Sequence, residues 1–302
     1  MDIEYFLELF FSGLTRGSIY ALIALGYTMV YGIIQLINFA HGEIYMIGAF
    51  VALIVAGVCT IYGLSGFAIL VLAAAIAIIY AAAYGYTLEK IAYRPLRGSP
   101  RLSPLISAIG MSIFLQNYVL LAQTPDFLPF PRLIPSFAFM DPVAHIIGSP
   151  ELVILITTLI TMVLLTLLIK KSRVGKAMRA TQQDLSMARL VGINVDRVIS
   201  LTFVIGSVLA AIGGVLVASY IGQVNFYIGF LAGVKAFTAA VLGGIGSIPG
   251  AVLGGLIIGW SESFAAGYFS SDYEDVLTFV LLVVILIVRP AGILGKVRKQ
   301  KV

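Results

Sequence analysis

LVILITTLITMVLLTLLI, residues 152–169, carries no charged side chain. VLTFVLLVVILIV, residues 276–288, does the same and is preceded directly by Asp275. A helix needs about 20 apolar residues to cross the hydrocarbon core of a bilayer. Inside lipid a segment must satisfy its own backbone hydrogen bonds, so such blocks read as helices. The ten-residue alternating segments of an outer-membrane barrel are absent. The rest of the chain agrees: 60% of its 302 residues are hydrophobic and 11% are charged. A soluble domain carries about a quarter charged residues, so this chain lacks the polar side chains to face water all round.

Charge placement orients the blocks. Of 19 Lys and Arg residues, 16 fall in three stretches, 90–101, 170–197 and 289–301. Basic residues gathered in alternate connections are the positive-inside signature, which puts these three stretches in the cytoplasm. The same clustering argues against nucleic acid as the reason for the net charge of +5. The N-terminus offers Asp2, Glu4 and Glu8 and no early cation, the wrong charge for a cleavable signal peptide. The first apolar stretch is therefore expected to stay, with the N-terminus outside. The single cysteine, Cys59, excludes an intrachain disulfide and reads as a small apolar helix residue.

Spans are expected at 10–34, 44–61, 67–87, 104–122, 151–169, 199–221 and 276–288. Residues 123–150 hold six prolines and read as an ordered external loop. Between 222 and 275 lie two apolar pieces, 230–242 and 251–266, joined by Gly243-Gly-Ile-Gly-Ser-Ile-Pro-Gly250. Either both cross, or they form a re-entrant hairpin or a broken helix. The fold class is all-α: a polytopic integral membrane protein with about eight spans (seven to nine), some broken or re-entrant. It forms one transmembrane domain over residues 1–302, with an extracytoplasmic loop at 123–150, a cytoplasmic loop at 170–198 and a cytoplasmic tail at 289–302. The breaks at 38–43 and 243–250 both follow a span entering from outside, which is compatible with internal duplication.

The loop at 175–194 places Ala177, Met178 and Ala180, then Met187, Ala188 and Val191, in a pattern of good helix formers. Gly192 is placed as a helix stop and Asn194 suits the following turn. A short amphipathic helix on a cytoplasmic loop suits docking into a groove of a partner. Ionisable residues in the apolar stretches are few: Arg16, His41, Glu43, Lys235 and Glu262. Such residues mark a pathway or a pairing. Arg16 has the reach to snorkel outward, and Lys235 and Glu262 suit each other as a pair. The run Asn38, Phe39, His41, Glu43 sits at a break, which lipid does not tolerate unsheltered. These four are candidates for lining the translocation path or shaping its gate. Gly246, Gly250 and Gly254, with Gly255 and Gly259, recur at four-residue spacing and read as close helix packing.

No phosphate-cradling Gly-x-x-x-x-Gly-Lys-Ser/Thr run exists, and His41 and His145 are distant from any nucleophile motif or metal spacing. No cofactor is expected, the chain is not expected to be an enzyme, and an energy source must come from a partner.

Three stretches carry a resemblance. They are Gly17-Ser-Ile-Tyr-Ala-Leu-Ile-Ala-Leu-Gly-Tyr-Thr-Met-Val-Tyr-Gly32 with Asn38-Phe-Ala-His-Gly-Glu43, the loop 175–194, and Ala240-Val-Leu-Gly-Gly-Ile-Gly-Ser-Ile-Pro-Gly-Ala251. Together they resemble the LivH-type permease of branched-chain amino acid ABC transporters, over nearly the whole chain. The resemblance implies an inner-membrane importer subunit working by alternating access. It pairs with a second homologous permease, two ATP-binding subunits and an extracytoplasmic binding protein that delivers leucine, isoleucine or valine. It also makes the 175–194 loop the segment that contacts the ATPases, with Gly175, Arg179, Ala180, Asp184, Ala188 and Gly192 as coupling candidates. Permeases for urea or short amides have similar motifs, which leaves that substrate class as the alternative; a gradient-driven secondary transporter lacks the buried ionisable groups it would use.

Overall fold

The computed structural model describes residues 3–64, 66–100 and 102–295. Helices dominate: α1 (Ile3–Ile34), α2 (His41–Ile61), α3 (Gly66–Leu88), α4 (Leu102–Ala122), α5 (Ser149–Lys171), α6 (Arg173–Gln183), α7 (Leu185–Leu190), α8 (Val195–Ile221), α9 (Ile228–Gly243), α10 (Ile248–Tyr268) and α11 (Tyr273–Val288). Seven are long and apolar enough to cross a membrane. Two further apolar helices, α9 and α11, have 16 residues each.

The first helix begins at Ile3, well before the expected residue 10, and reaches 32 residues, or about 48 Å. Its partner is α10, the most extensive helix pair in the molecule. Small residues make the contact possible. A Cβ on Gly259 would collide with the backbone of Gly17 and Gly13, and one on Gly255 with Ala21 and Gly17. On the neighbouring face, Gly250 and Gly254 meet the backbone of Gly243 and Ala239 in α9. Four of the five expected packing glycines thus pack helices within this chain. Gly246 does not. It sits in the α9–α10 turn with φ +96, and a Cβ there would meet no backbone, with only the Gln182 side chain at 3.9 Å, so glycine is there for backbone conformation.

The two pieces between 222 and 275 resolve as full helices joined by a tight reversal, with the Gly244 N–H bonding Ala240 and Val241 carbonyls and the Ser247 N–H bonding Gly244. The 123–150 loop is no span, as expected. Its Leu128–Pro129 strand (β1) pairs antiparallel with Gln223–Val224 (β2) just after α8.

The described parts of the three basic stretches gather at one end, as the positive-inside reading requires. Arg97 pairs with Asp196 at 2.5 Å and Arg94 bonds Ser200, joining the 90–101 stretch to the start of α8. The N–H groups of Ile293 and Leu294 bond Leu242 and Gly243, joining the chain after α11 to the α9–α10 turn. The cations at 296–301 and Arg101 lie outside the described residues. Core positions belong mainly to α1, α2 and α8, whereas α3, α4 and α5 turn apolar side chains outward, such as Ile79, Ile113 and Leu164. Outward-facing isoleucine and leucine along whole helices is what lipid, not water, accepts.

Candidate functional site

Four helices carry a side-chain cap at their N-terminus: Ser172 for α6, Asp184 for α7, Asn194 for α8 and Ser247 for α10. The starts of α2 and α9 carry none. Both starts lie inside the bundle. After α1 the chain reverses through Gln35, a non-glycine residue at φ 54, and climbs back along its own helix. A Cβ on Gly26 would overlap the His41 ring, and Gly26 lies eight residues before Ile34, about 12 Å along the axis. From the opposite end, the chain leaves α8 at Gly222 and begins α9 beside the same place. A Cβ on Gly42 would stand 2.8 Å from Gly233 Cα and collide with the Gly229 carbonyl. The first turns of α2 and α9 therefore lie side by side, antiparallel, with Gly42, Gly229 and Gly233 at the closest approach.

A cavity of about 200 Å³ opens against this junction, bounded by α1, the segment before α2, α4 and α9. Its apolar wall includes Phe39, Ile109, Ile113, Phe230, Val234 and Phe237. Its polar groups are Tyr27, Ser112, Gln116 and Tyr227. Glu43 stands one hydrogen bond behind the lining. It is fully buried, its Oε1 accepts from the Ser112 hydroxyl at 2.9 Å, and its Oε2 has no hydrogen-bond partner among the described residues. Gln116 Nε2, on the same face of α4 one turn beyond Ser112, is likewise buried and unpartnered.

The four residues expected at the path divide into three roles. Phe39 lines the cavity and stacks obliquely on Phe237, ring centroids 5.9 Å apart. Glu43 backs it. Asn38 is buried away from the cavity and accepts from the Tyr93 hydroxyl at 2.9 Å. His41 is 1% exposed, wedged edge-on against Tyr27 at 4.8 Å and against Gly26, so it packs rather than lines. Tyr27, Ser112, Gln116 and Phe237 were not singled out in the sequence. The only signal was Ser112 and Gln116 four apart in an otherwise apolar span.

Other charges pair as the sequence suggested, or more tightly. Lys235 Nζ lies 2.9 Å from Glu262 and 2.7 Å from Asp275, and Tyr20 and Thr278 donate to the same Glu262 carboxylate. Arg16 does not merely snorkel; it pairs with Glu274 at 2.9 Å. Near the basic end, fully buried Glu89 takes ion pairs from Arg97 and Arg94 and the Ser200 hydroxyl at 2.7 Å.

At that end, the expected single docking helix is two, α6 and α7, divided at Asp184. The carboxylate of Asp184 accepts the N–H groups of Ser186 and Met187. Gly175 is buried against the end of α5, where a Cβ would collide with the carbonyls of Leu168 and Ile169. Arg179 donates to the Ile169 carbonyl. Ala180 is half-buried, Ala188 is buried, and Gly192 ends α7 at φ +84 as expected. These six residues hold the loop's shape. Its outward face is instead Leu185, Met187, Leu190 and Val191, the last two 79% and 74% exposed.

Seven apolar helices of spanning length among the described residues, a cavity at a sheltered double break and an apolar ledge on a basic connection define a polytopic transport protein. Residues 9–286 match the family model described as branched-chain amino acid transport system / permease component, and the chain belongs to that family. It is 53% identical over 302 residues to the high-affinity branched-chain amino acid transport system permease protein LivH of Salmonella typhimurium, covering 99% of this chain and 98% of the relative. It is 52% identical to BraD of Pseudomonas aeruginosa, a permease protein of the same described system, over 100% of this chain and 99% of that one. The probable LivH of Methanocaldococcus jannaschii is 26% identical over 91% of this chain and 88% of its own length.

Proposed function

We propose that this chain is the inner-membrane permease subunit of an ABC importer for leucine, isoleucine and valine, and that the α2–α9 junction is its translocation path. Its partners in this reading are a second homologous permease, two ATP-binding subunits and an extracytoplasmic binding protein. The observation that carries the coupling half is the ledge Leu185, Met187, Leu190 and Val191, large apolar side chains standing exposed on a short helix. Surface apolar groups clustered among cations mark a contact with another protein. The Asp184 cap and the Gly192 stop fix the helix that carries them. Gly175 and Arg179 fasten α6 to the end of α5, so force on the ledge moves a spanning helix rather than a loose loop.

The path half draws on the break itself. Uncapped backbone N–H groups inside a membrane protein are tolerated only where protein or a water-filled cavity covers them. An aliphatic amino acid suits an apolar cavity with a few converging polar groups. The test is competition uptake in proteoliposomes holding the complete complex, with leucine, isoleucine, valine, acetamide and urea as competitors. Competition by the three aliphatic amino acids alone supports the reading; competition by urea or the amide alone refutes it. Leu190→Asp with Val191→Asp is expected to cut recovery of the ATPase subunits at least tenfold while the chain still inserts.

A further inference from the structure

The cavity's polar groups do more than mark a path. A neutral guest would leave Glu43 without a complement. Its side chain is fully buried, one carboxylate oxygen accepts from Ser112 at 2.9 Å, and the other accepts from nothing among the described residues. A buried carboxylate without a cation is costly. The five positive groups near the bundle core or its margins are already taken: Arg16 by Glu274, Lys235 by Glu262 and Asp275, and Arg94 and Arg97 by Glu89, while Arg179 donates to Ile169. Meanwhile the unpartnered amide of Gln116, a donor, faces the same cavity from one turn along α4. The unpaired Gln116 donor lines an apolar wall of three phenylalanines, two isoleucines and a valine, and the unpaired Glu43 oxygen lies just behind it, against Gly229.

We propose that this cavity is a transit site for a zwitterionic amino acid, in which Glu43 recognises the α-ammonium group. Gln116, beside the start of α9, faces the carboxylate, and Phe39, Phe230 and Phe237 receive the branched side chain. This rests on the reading of the junction as the translocation path, and it adds the residue that separates amino acids from uncharged or purely anionic analogues of the same shape. Binding proteins select outside the membrane; Glu43 sets a second selection within it. The cavity is smaller than the ~300–1,000 Å³ pockets that hold drug-sized ligands, which matches a single amino acid and excludes a peptide.

The experiment uses the detergent-solubilised complete complex, without binding protein. Val234→Cys places a thiol on the cavity wall, and the chain's own Cys59 is buried. Modification of this chain is followed by mass spectrometry with a cationic aminoethyl and an anionic sulfonatoethyl methanethiosulfonate. The cationic reagent is expected to react at least tenfold faster, and Glu43→Gln to reduce that ratio at least fivefold. Glu43→Asp is expected to keep the preference; its loss in both variants would make Glu43 a packing group and overturn the proposal. Millimolar leucine is expected to slow modification in the parent but not in Glu43→Gln, and 2-hydroxy-4-methylpentanoate to slow it in neither. Equal protection by the hydroxy acid refutes the ammonium role alone. Failure of leucine to protect, in a complex that still takes up leucine, places the path elsewhere and removes both readings of the cavity.

Discussion

Lys235→Met isolates the energy of a buried charge network. The Glu262 carboxylate is fully buried and takes three partners: Lys235 at 2.9 Å, Tyr20 at 2.7 Å and Thr278 at 2.9 Å. Methionine keeps most of the lysine stem's packing and deletes the ammonium. Removing one partner of a buried ion pair costs about 3–5 kcal/mol, because the other charge stays buried. Two hydroxyl donors remain on Glu262, so the lower end, about 3 kcal/mol, applies. Glu262→Gln is milder. Lys235 keeps Asp275 at 2.7 Å, a carboxylate more than half exposed, and the amide still meets both hydroxyls, so the loss is about 1 kcal/mol. In the double variant no uncompensated charge is buried, and it should be more stable than Lys235→Met, giving a coupling of about 2 kcal/mol.

The assay is reversible unfolding in mixed detergent micelles with added dodecyl sulfate, followed by tryptophan fluorescence. The chain has one tryptophan, Trp260. It lies one half-turn before Glu262, stacks on Phe10 of α1 at 5.2 Å and donates to the Phe10 carbonyl at 3.2 Å. Its emission therefore reports separation of α1 from α10, the helices the network helps to hold. Single and double variants all within about 0.5 kcal/mol of one another would refute the reasoning, since the network would then be hydrated despite its burial.

Gly259→Ala places a methyl against the backbone of Gly17 and Gly13, which cannot yield as a side chain can, and should cost about 1–3 kcal/mol in the same assay. Gly57→Ala, with open space around its Cβ, should leave stability unchanged or raise it by about 0.5–1 kcal/mol. Tyr93→Phe strips buried Asn38 of its donor and should destabilise by about 1–3 kcal/mol, read as a shifted midpoint; Asn38→Leu with Tyr93→Phe should recover part of that loss. Arg179→Ala frees the end of α5 and should lower leucine-stimulated ATP hydrolysis in the reconstituted complex without lowering the recovery of ATPase subunits.

The spans were legible because an apolar run of sufficient length has one stable form in lipid. Their ends were less so. Glu4 and Glu8 lie before the expected first span, yet both belong to α1, whose first turns touch α10 through Phe6 and Leu9. The docking ledge was hidden by the opposite effect. Leu185, Met187, Leu190 and Val191 sit in a basic connection, where apolar residues read as the inward face of a small helix, and the inward places are in fact taken by Met178, Thr181 and Ala188. Cavity residues were harder still. Nothing local in α4 says that Ser112 meets Glu43, 69 positions earlier, because a serine in a span usually returns its proton to the preceding turn, as Ser207 and Ser261 do here. Only the tertiary crossing of α4 over the α2 start gives Ser112 another acceptor.

The two buried helix starts explain why the chain interrupts itself twice. An unbroken spanning helix spends every interior N–H on its own carbonyls and has no donors to offer at depth. Entering from opposite ends, the segments before α2 and α9 bring two positive helix ends together, each equivalent to roughly half a charge. Two like ends side by side repel, and glycines at 42, 229 and 233 draw them closer than larger residues would allow. An anion at the junction offsets the repulsion, and the Glu43 carboxyl, in the first turn of α2 and against the first turn of α9, is the acidic group placed there. With that carboxyl ionised the arrangement holds a negative side chain between positive backbone ends, and the zwitterionic guest proposed above completes it without adding net charge to the membrane interior. A guest with either charge alone would leave one of the two unmatched, so the geometry favours a zwitterion through the balance of charge at the junction and not through the shape of the apolar wall.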